Sequence, residues 1–178
     1  MPALTADRPR LTVMSDPAHR PLQLAAEQLA LLARGVGVSV ASRDADHLPD
    51  LVRAVGHRVE PSGEIAVFLS RADGAGVLEN LRANGAIAVV FSQPSTHRTL
   101  QLKATRVTIA AAAAADLDTV AHCCEAMIAE LVGLGYEREF GLRLLACEPD
   151  QLVALRFVPE RAFDQTPGPK AGSAVAAA

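Results

Sequence analysis

The sequence predicts an α+β fold: an antiparallel β-barrel or strongly curved sheet with helices packed on its outside. Three observations carry that expectation. Half of the 178 residues are apolar, which is enough to bury the core of one domain. The β-branched runs are short and are bounded by Gly, Pro, Asp and Ser, and the turns between several of them are too short for parallel crossovers. Between them lie segments whose apolar residues recur at helical spacing.

Residues 1–20 contain Pro and Arg without a hydrophobic period and read as a loose arm. Pro21 suits a first helical position. Leu22, Ala25, Ala26, Leu29, Leu32 and Ala33 share one helical face, with Gly35 at the C-terminal cap. VGVSVAS is a first strand and DADHLPD a turn. LVRAVGHRVEP is a second strand, with Gly56 as a bulge or a point of close approach. Pro61-Ser62-Gly63 turns the chain into the strand EIAVFLS.

The centre of the chain follows. Val77, Leu78 and Leu81 mark a helix capped by Asp73 and closed by Gly85. AIAVVFS is the next strand, QPSTHR a loop, and TLQLKATRVT an alternating strand. An alanine-rich run leads to Asp116 as an N-cap. Leu117, Val120, Cys124, Met127, Ile128 and Leu131 then form an amphipathic stripe that Gly133 and Gly135 end. EFGLRLLA reads ambiguously as a short helix, and QLVALRFVP is a last strand that Pro159 stops. Six strand candidates and three helices result. The barrel domain spans residues 21–163, and residues 164–178 form a turn-rich, partly mobile tail.

Composition removes several function classes. A net charge of −3 is not the basic footprint of a nucleic-acid binder, and five Phe, one Tyr and no Trp leave few stacking platforms for bases. No run reaches the roughly 18 apolar residues of a membrane span, and the N-terminus lacks a signal-peptide core. Three cysteines, two of them adjacent, suit a reducing cytoplasm better than a disulfide framework. Cys124 and Met127 fit the apolar stripe, and no His, Cys and carboxylate spacing makes a zinc site. His57 and His97 read as hydrogen-bonded structural groups. Asp44 and Asp46 read as turn residues.

The stretches VSVASRDADHLPDLVRAVGHRV and EIAVFLSRADGAGVLENLRANGAIAVVFSQPSTHRTLQLKATRV resemble the pyridoxamine 5′-phosphate oxidase-like FMN-binding split-barrel family. VPERAFDQTPGPKAG is similar to the tail of one subgroup, so the resemblance covers roughly residues 20–169. NLRANGAIAVVFS and HRTLQLK are its most specific parts. The resemblance implies a six-stranded antiparallel split β-barrel with flanking helices, a homodimer, and FMN held at the dimer interface.

By position, the resemblance implies that Arg53 and Arg58 are the paired basic residues of the second strand, suited to bidentate contact with phosphate. Ser70 and Arg71 fall at the strand end that faces the flavin. Thr99 and Gln101 fall on the strand approaching the ring, with Lys103 beyond them. Departures from the family are also present. Ala75, Gly76 and Val77 replace hydroxyl and basic residues at the helix start, leaving only bare N–H groups for a phosphate, and Ala104 replaces a glycine. No basic cluster near the C-terminus beyond Lys170 matches a substrate-phosphate site, so true pyridoxamine-phosphate oxidase activity is not expected.

Plainer readings stand beside these. In a regular strand Arg53 and Arg58 face opposite sides, and they share a face only if Gly56 is a bulge. Arg71 also reads as a solvated strand end, and Thr99, Gln101 and Lys103 as a solvent face alternating with Leu100 and Leu102. Three functions follow: an FMN-dependent oxidoreductase of unassigned substrate, a non-enzymatic flavin or haem binder, or a ligand-free dimeric module with a vestigial site.

Overall fold

The computed structural model describes residues 22–175. The expected arm and the helix-starting role of Pro21 lie outside the described residues. Among the described residues are nine strands and four helices. They are α1 (Ala26–Leu32), β1 (Gly37–Arg43), β2 (Pro49–Ala54), β3 (Gly56–Val59), β4 (Ile65–Ser70), α2 (Ala75–Asn84) and β5 (Ile87–Ser92). After them come β6 (Thr99–Ala104), β7 (Thr108–Ala111), α3 (Ala114–Gly133), α4 (Arg138–Leu144), β8 (Leu152–Phe157) and β9 (Arg161–Asp164).

The strands form a five-stranded sheet, β2-β1-β5-β6-β9, and a four-stranded sheet, β3-β4-β8-β7, rather than one closed barrel of six strands. Every pairing is antiparallel. Two expected strands each divide between the sheets. LVRAVGHRVEP becomes β2 and β3, bending at Val55, whose N–H bonds the Phe68 carbonyl at 2.8 Å. TLQLKATRVT becomes β6 and β7. These two corners hold the halves of a split barrel face to face.

Gly56 marks close approach: a Cβ there would lie 3.2 Å from the Val120 Cα of α3. β9, which the sequence reading leaves without a strand between Pro159 and the tail that starts at Asp164, pairs with β6 from Leu100↔Asp164 to Lys103↔Arg161. The chain beyond it turns back, with the Val175 N–H bonding the Ala162 carbonyl at 2.9 Å.

The main core fills the space between the sheets, with Val40, Ile65, Val67, Val89, Phe91, Leu102 and Leu155 fully enclosed. β4 is buried on both faces. Ala66 and Phe68 point outward under Val120 and Cys124 of α3, while Ile65, Val67 and Leu69 point inward. That double burial explains its unbroken apolar run. A third cluster, Met127, Ile128, Leu131 and Leu145, locks α4 onto α3.

Helix starts differ from expectation. α1 begins at Ala26 because the Gln28 Oε1 accepts the Ala25 N–H at 2.6 Å, so Leu22 and Leu24 are extended chain packed on the core. Leu31 and Leu32 are its buried face, and Leu29 is exposed. Asp116 lies one turn inside α3, where its carboxylate accepts the Ala113 N–H at 2.9 Å. Gly85, with φ +70°, closes α2 as expected.

Candidate functional site

Strict alternation along β6 sends Leu100, Leu102 and Ala104 into the core and leaves Thr99, Gln101 and Lys103 half-buried on the opposite face. The same period on β1 turns Ser39 and Ala41 outward, and on β2 it turns Leu51 and Arg53 outward. Register aligns these residues in rows. Arg53, Ser39, Val90, Gln101 and Phe163 form one row across all five strands. Leu51, Ala41, Ala88, Lys103 and Arg161 form the next. Arg53 and Gln101 are therefore three strand spacings apart, roughly 14 Å at the backbone.

The polar groups on this face are tied at one end. The hydroxyls of Ser92 and Thr99 are 2.8 Å apart, and the Thr99 N–H donates to the Thr166 Oγ1 at 3.1 Å. Gln165 Nε2 donates to Gln101 Oε1 at 3.3 Å, which orients the Gln101 amide. Lys103 Nζ and the Arg161 guanidinium carbon lie 5.0 and 5.9 Å from the centre of the Phe163 ring. Arg53, Thr99, Gln101 and Lys103 thus share one surface, with small and apolar side chains between them.

Arg58, Ser70 and Arg71 lie elsewhere. Arg58 faces α3: its Nε donates to Glu60 at 2.7 Å and its Nη1 to Asp116 at 2.8 Å and to Thr119 at 3.3 Å. Arg156 approaches the same two carboxylates at 3.5 and 3.4 Å. The hydrogen bonds that Arg58 donates to Glu60 and then to Asp116 raise its pKa further. Burial alone would raise the Asp116 carboxyl, but the Ala113 N–H and Arg58 outweigh it and hold the group below the usual carboxylate range. The Arg53–Arg58 phosphate clamp is therefore not assembled. The strand breaks at Val55, and the two guanidinium groups lie on separate sheets facing different neighbours.

Ser70 is buried, and its Oγ accepts the Asp73 N–H at 3.3 Å. Arg71 is exposed, with its backbone N–H on the Gln151 carbonyl at 2.8 Å. The start of α2 is also altered. The Asp50 carboxylate lies 3.0–3.1 Å from where a Gly76 Cβ would stand, and it accepts a bond from Asn80 Nδ2 at 2.7 Å. A carboxylate of the chain itself thus stands beside the first turn of α2, bonded to the Asn80 side chain.

His57 is buried inside the barrel mouth. Its Nε2 donates to the Leu32 carbonyl at 2.8 Å and its ring meets Phe91 edge-on at 5.1 Å. Burial lowers its pKa, and the Leu32 bond opposes this. Nδ1 is then a bare acceptor with no partner. His57 also borders a cavity of about 730 Å³ between α1, the β3–β4 turn and α3, which Val59, Thr119 and His122 line as well. His97 sits in the turn after β5 with φ +58°, its N–H on the Gln93 carbonyl. Cys123 and Cys124 donate to the carbonyls of His57 and Val55, each at 3.3 Å. Among the described residues no cluster of His, Cys, Asp and Glu is arranged to hold a metal ion.

Sequence reasoning missed Arg161 and Phe163. Their only signal is the period-two alternation in RAFD, too short to read beside the turn residues that follow.

Two facing antiparallel sheets joined at two corners, with a polar outer face on the larger sheet, define the split-barrel class. No protein-family model matches the chain, and no curated protein matches it by sequence. Solved structures do match. The chain is similar to HupZ of Group A Streptococcus, at 17% identity and a TM-score of 0.52 over 84% of this chain and 100% of that one. It is also similar to a proposed pyridoxamine 5′-phosphate oxidase of Lactobacillus delbrueckii, at 17% identity and a TM-score of 0.50 over 79% and 93%. These likenesses show that the chain has the fold of the pyridoxamine 5′-phosphate oxidase-like split barrels.

Proposed function

We propose that this protein is a flavoprotein that binds FMN on the outer face of the five-stranded sheet, with a second copy of the chain completing the site. One observation supports this above the others: Arg53, Thr99, Gln101 and Lys103, separated by up to three strands, stand together on that face. The residues fit such a cofactor. Ala41, Ala88 and Val90 give a low apolar floor for a planar ring. Gln101, oriented by Gln165, offers an amide N–H and a carbonyl to the pyrimidine edge of a flavin. Lys103 on β6 and Arg53 on β2 place positive charge at opposite sides of that floor, so its anionic end meets a cation on either side. Bound FMN would supply hydride and electron transfer, while the protein places it and excludes water.

A second reading is a flavin carrier or sensor. The outward residues of the five strands include no carboxylate and no histidine, so this face brings no acid–base pair of its own. Among the described residues no helix is long and apolar enough to cross a membrane, and the proposed partners are a second copy and a small molecule.

The test is an absorbance scan of the purified chain, repeated after incubation with excess FMN and desalting. Retained bands at about 370 and 450 nm, the cofactor's own absorption, are expected. A protein that retains no flavin and elutes as a monomer would overturn the proposal. Turnover with a reduced nicotinamide donor would separate the oxidoreductase from the carrier.

A further inference from the structure

Lys103 and Arg161 are directly opposite each other across β6 and β9, and both point to the outer face. Like charges in that position are destabilising unless something stands between or above them. Neither has an ion-pair partner among the described residues. The acid next in sequence, Glu160, turns its Oε1 to the N–H and hydroxyl of Thr105, at 3.1 and 2.7 Å. Phe163 lies under both cations. Of the two basic positions expected to meet a phosphate, Arg58 by contrast is held by Glu60 and Asp116, and Arg53 stands on the outer face three strand spacings from Gln101.

We infer that Lys103 and Arg161, over the Phe163 ring, form the seat for the phosphate group of the bound ligand. Resting on the flavin reading above, this makes the pair the site of the FMN phosphate, distinct from the family-like position at Arg58. The chemistry suits the role. A guanidinium fork gives two parallel bonds to phosphate oxygens, and the ammonium adds a third donor and a second charge. Arg161 is diagonal to Gln101 across the β6–β9 pair, about 7–8 Å away at the backbone. The amide and the cations can therefore hold two ends of one elongated ligand. A dianion also relieves the repulsion between the two cations, so its binding is coupled to the stability of the β6–β9 edge.

The experiment compares the full-length chain with Lys103→Gln, Arg161→Gln and the double variant, titrating FMN and riboflavin separately by flavin fluorescence. Circular dichroism checks that the substitutions leave the fold intact. The double variant is expected to weaken FMN binding by about ten- to a hundredfold, since charge-assisted bonds contribute about 1.5–3 kcal/mol and each tenfold is 1.4. Riboflavin, which lacks the phosphate, should bind all forms alike, and salt should weaken FMN binding in the wild type more than in the double variant. Equal FMN affinity in wild type and double variant would refute the seat while leaving the flavin reading standing. Parallel loss of both flavins would refute it too, by placing the pair in ring packing. If the wild type binds neither flavin, inorganic pyrophosphate is titrated by calorimetry at low ionic strength. Binding lost in the double variant upholds the seat for another phosphorylated ligand, and no binding by the wild type overturns it.

Discussion

If Arg58 belongs to the fold and not to a ligand, replacing it with methionine should cost stability and spare flavin affinity. Methionine keeps most of the stem and removes the charge. The loss has two parts. The Arg58–Asp116 bond, 2.8 Å long, ends on a carboxylate whose side chain is only 3% exposed. A charge-assisted bond of that kind contributes about 1.5–3 kcal/mol. The bond to Glu60 joins side chains 31% and 26% exposed, where solvent screening leaves about 0.2–1 kcal/mol. Arg156 stays near both carboxylates and limits the damage. The expected total is about 2–3 kcal/mol, or a fall in Tm of roughly 4–12 °C for a chain of this size. A double-mutant cycle with Asp116→Ala isolates the pair, and a coupling of about 1–2 kcal/mol is expected. Thermal melting followed by circular dichroism measures the first quantity, and FMN titration of the same variant measures the second. A variant that melts like the wild type and loses FMN would refute the reasoning and return Arg58 to the cofactor.

Other predictions rest on packing and protonation. A Cβ on Gly35 would lie 2.1 Å from the Ala126 carbonyl oxygen of α3, a backbone atom that cannot rotate away. Gly35→Ala should therefore cost at least the about 1–3 kcal/mol of an overpacked core, while Gly133→Ala, with open space around it, should gain up to about 0.5–1 kcal/mol in urea unfolding. The folded pKa values of His57 and Asp116 are both depressed, so for each the unfolded chain takes up protons first and stability falls as pH drops. The urea midpoint should begin to fall below about pH 6.5 as unfolded histidine protonates, and again below about 3.9 for Asp116. His57→Gln should flatten the upper phase and Asp116→Asn the lower; unchanged profiles would contradict the assignment. Burial pushes Cys124 up to about 11 and raises Cys123 as well. A disulfide reagent at pH 8 should then label both far more slowly in the native chain than in urea, and equal rates would place them at an open surface.

Local periodicity carried most of the fold into view. β1, β4, β5 and β8 are short apolar or alternating runs between turn residues, and Gly85 ends α2 in the left-handed conformation that glycine adopts readily. What stayed hidden is where a strand changes sheets. β2 and β3 read as one run because Val55 and Gly56 do not interrupt its β character. Only the approach of Val120 explains a glycine there, and α3 lies some sixty residues further on. TLQLKATRVT conceals a second corner in the same way. The start of α1 was misread because the bond from Ala25 to the Gln28 side chain outweighs the apolar spacing that begins at Leu22.

The candidate site divides along the same line. Thr99, Gln101 and Lys103 were legible because alternation on one strand is a local property, and β6 keeps it. Arg53 joins them through register alone, across β1 and β5. The role of Arg58 was not legible, because its partner Asp116 is 58 residues away and Arg156 reaches that same carboxylate from a third element. Asp50, which meets Asn80 across 30 residues, likewise ties α2 to β2 unseen. Around Arg58 the chain has put its own anions where a phosphate was expected, and Asp116 and Asp50 each tie a helix to a strand. A charge matched in this way serves the fold. Lys103 and Arg161 are opposed to each other and matched by nothing among the described residues. They stand on the open face of the larger sheet, on the same side as Gln101 and Arg53, and are the positive charge proposed above for a ligand.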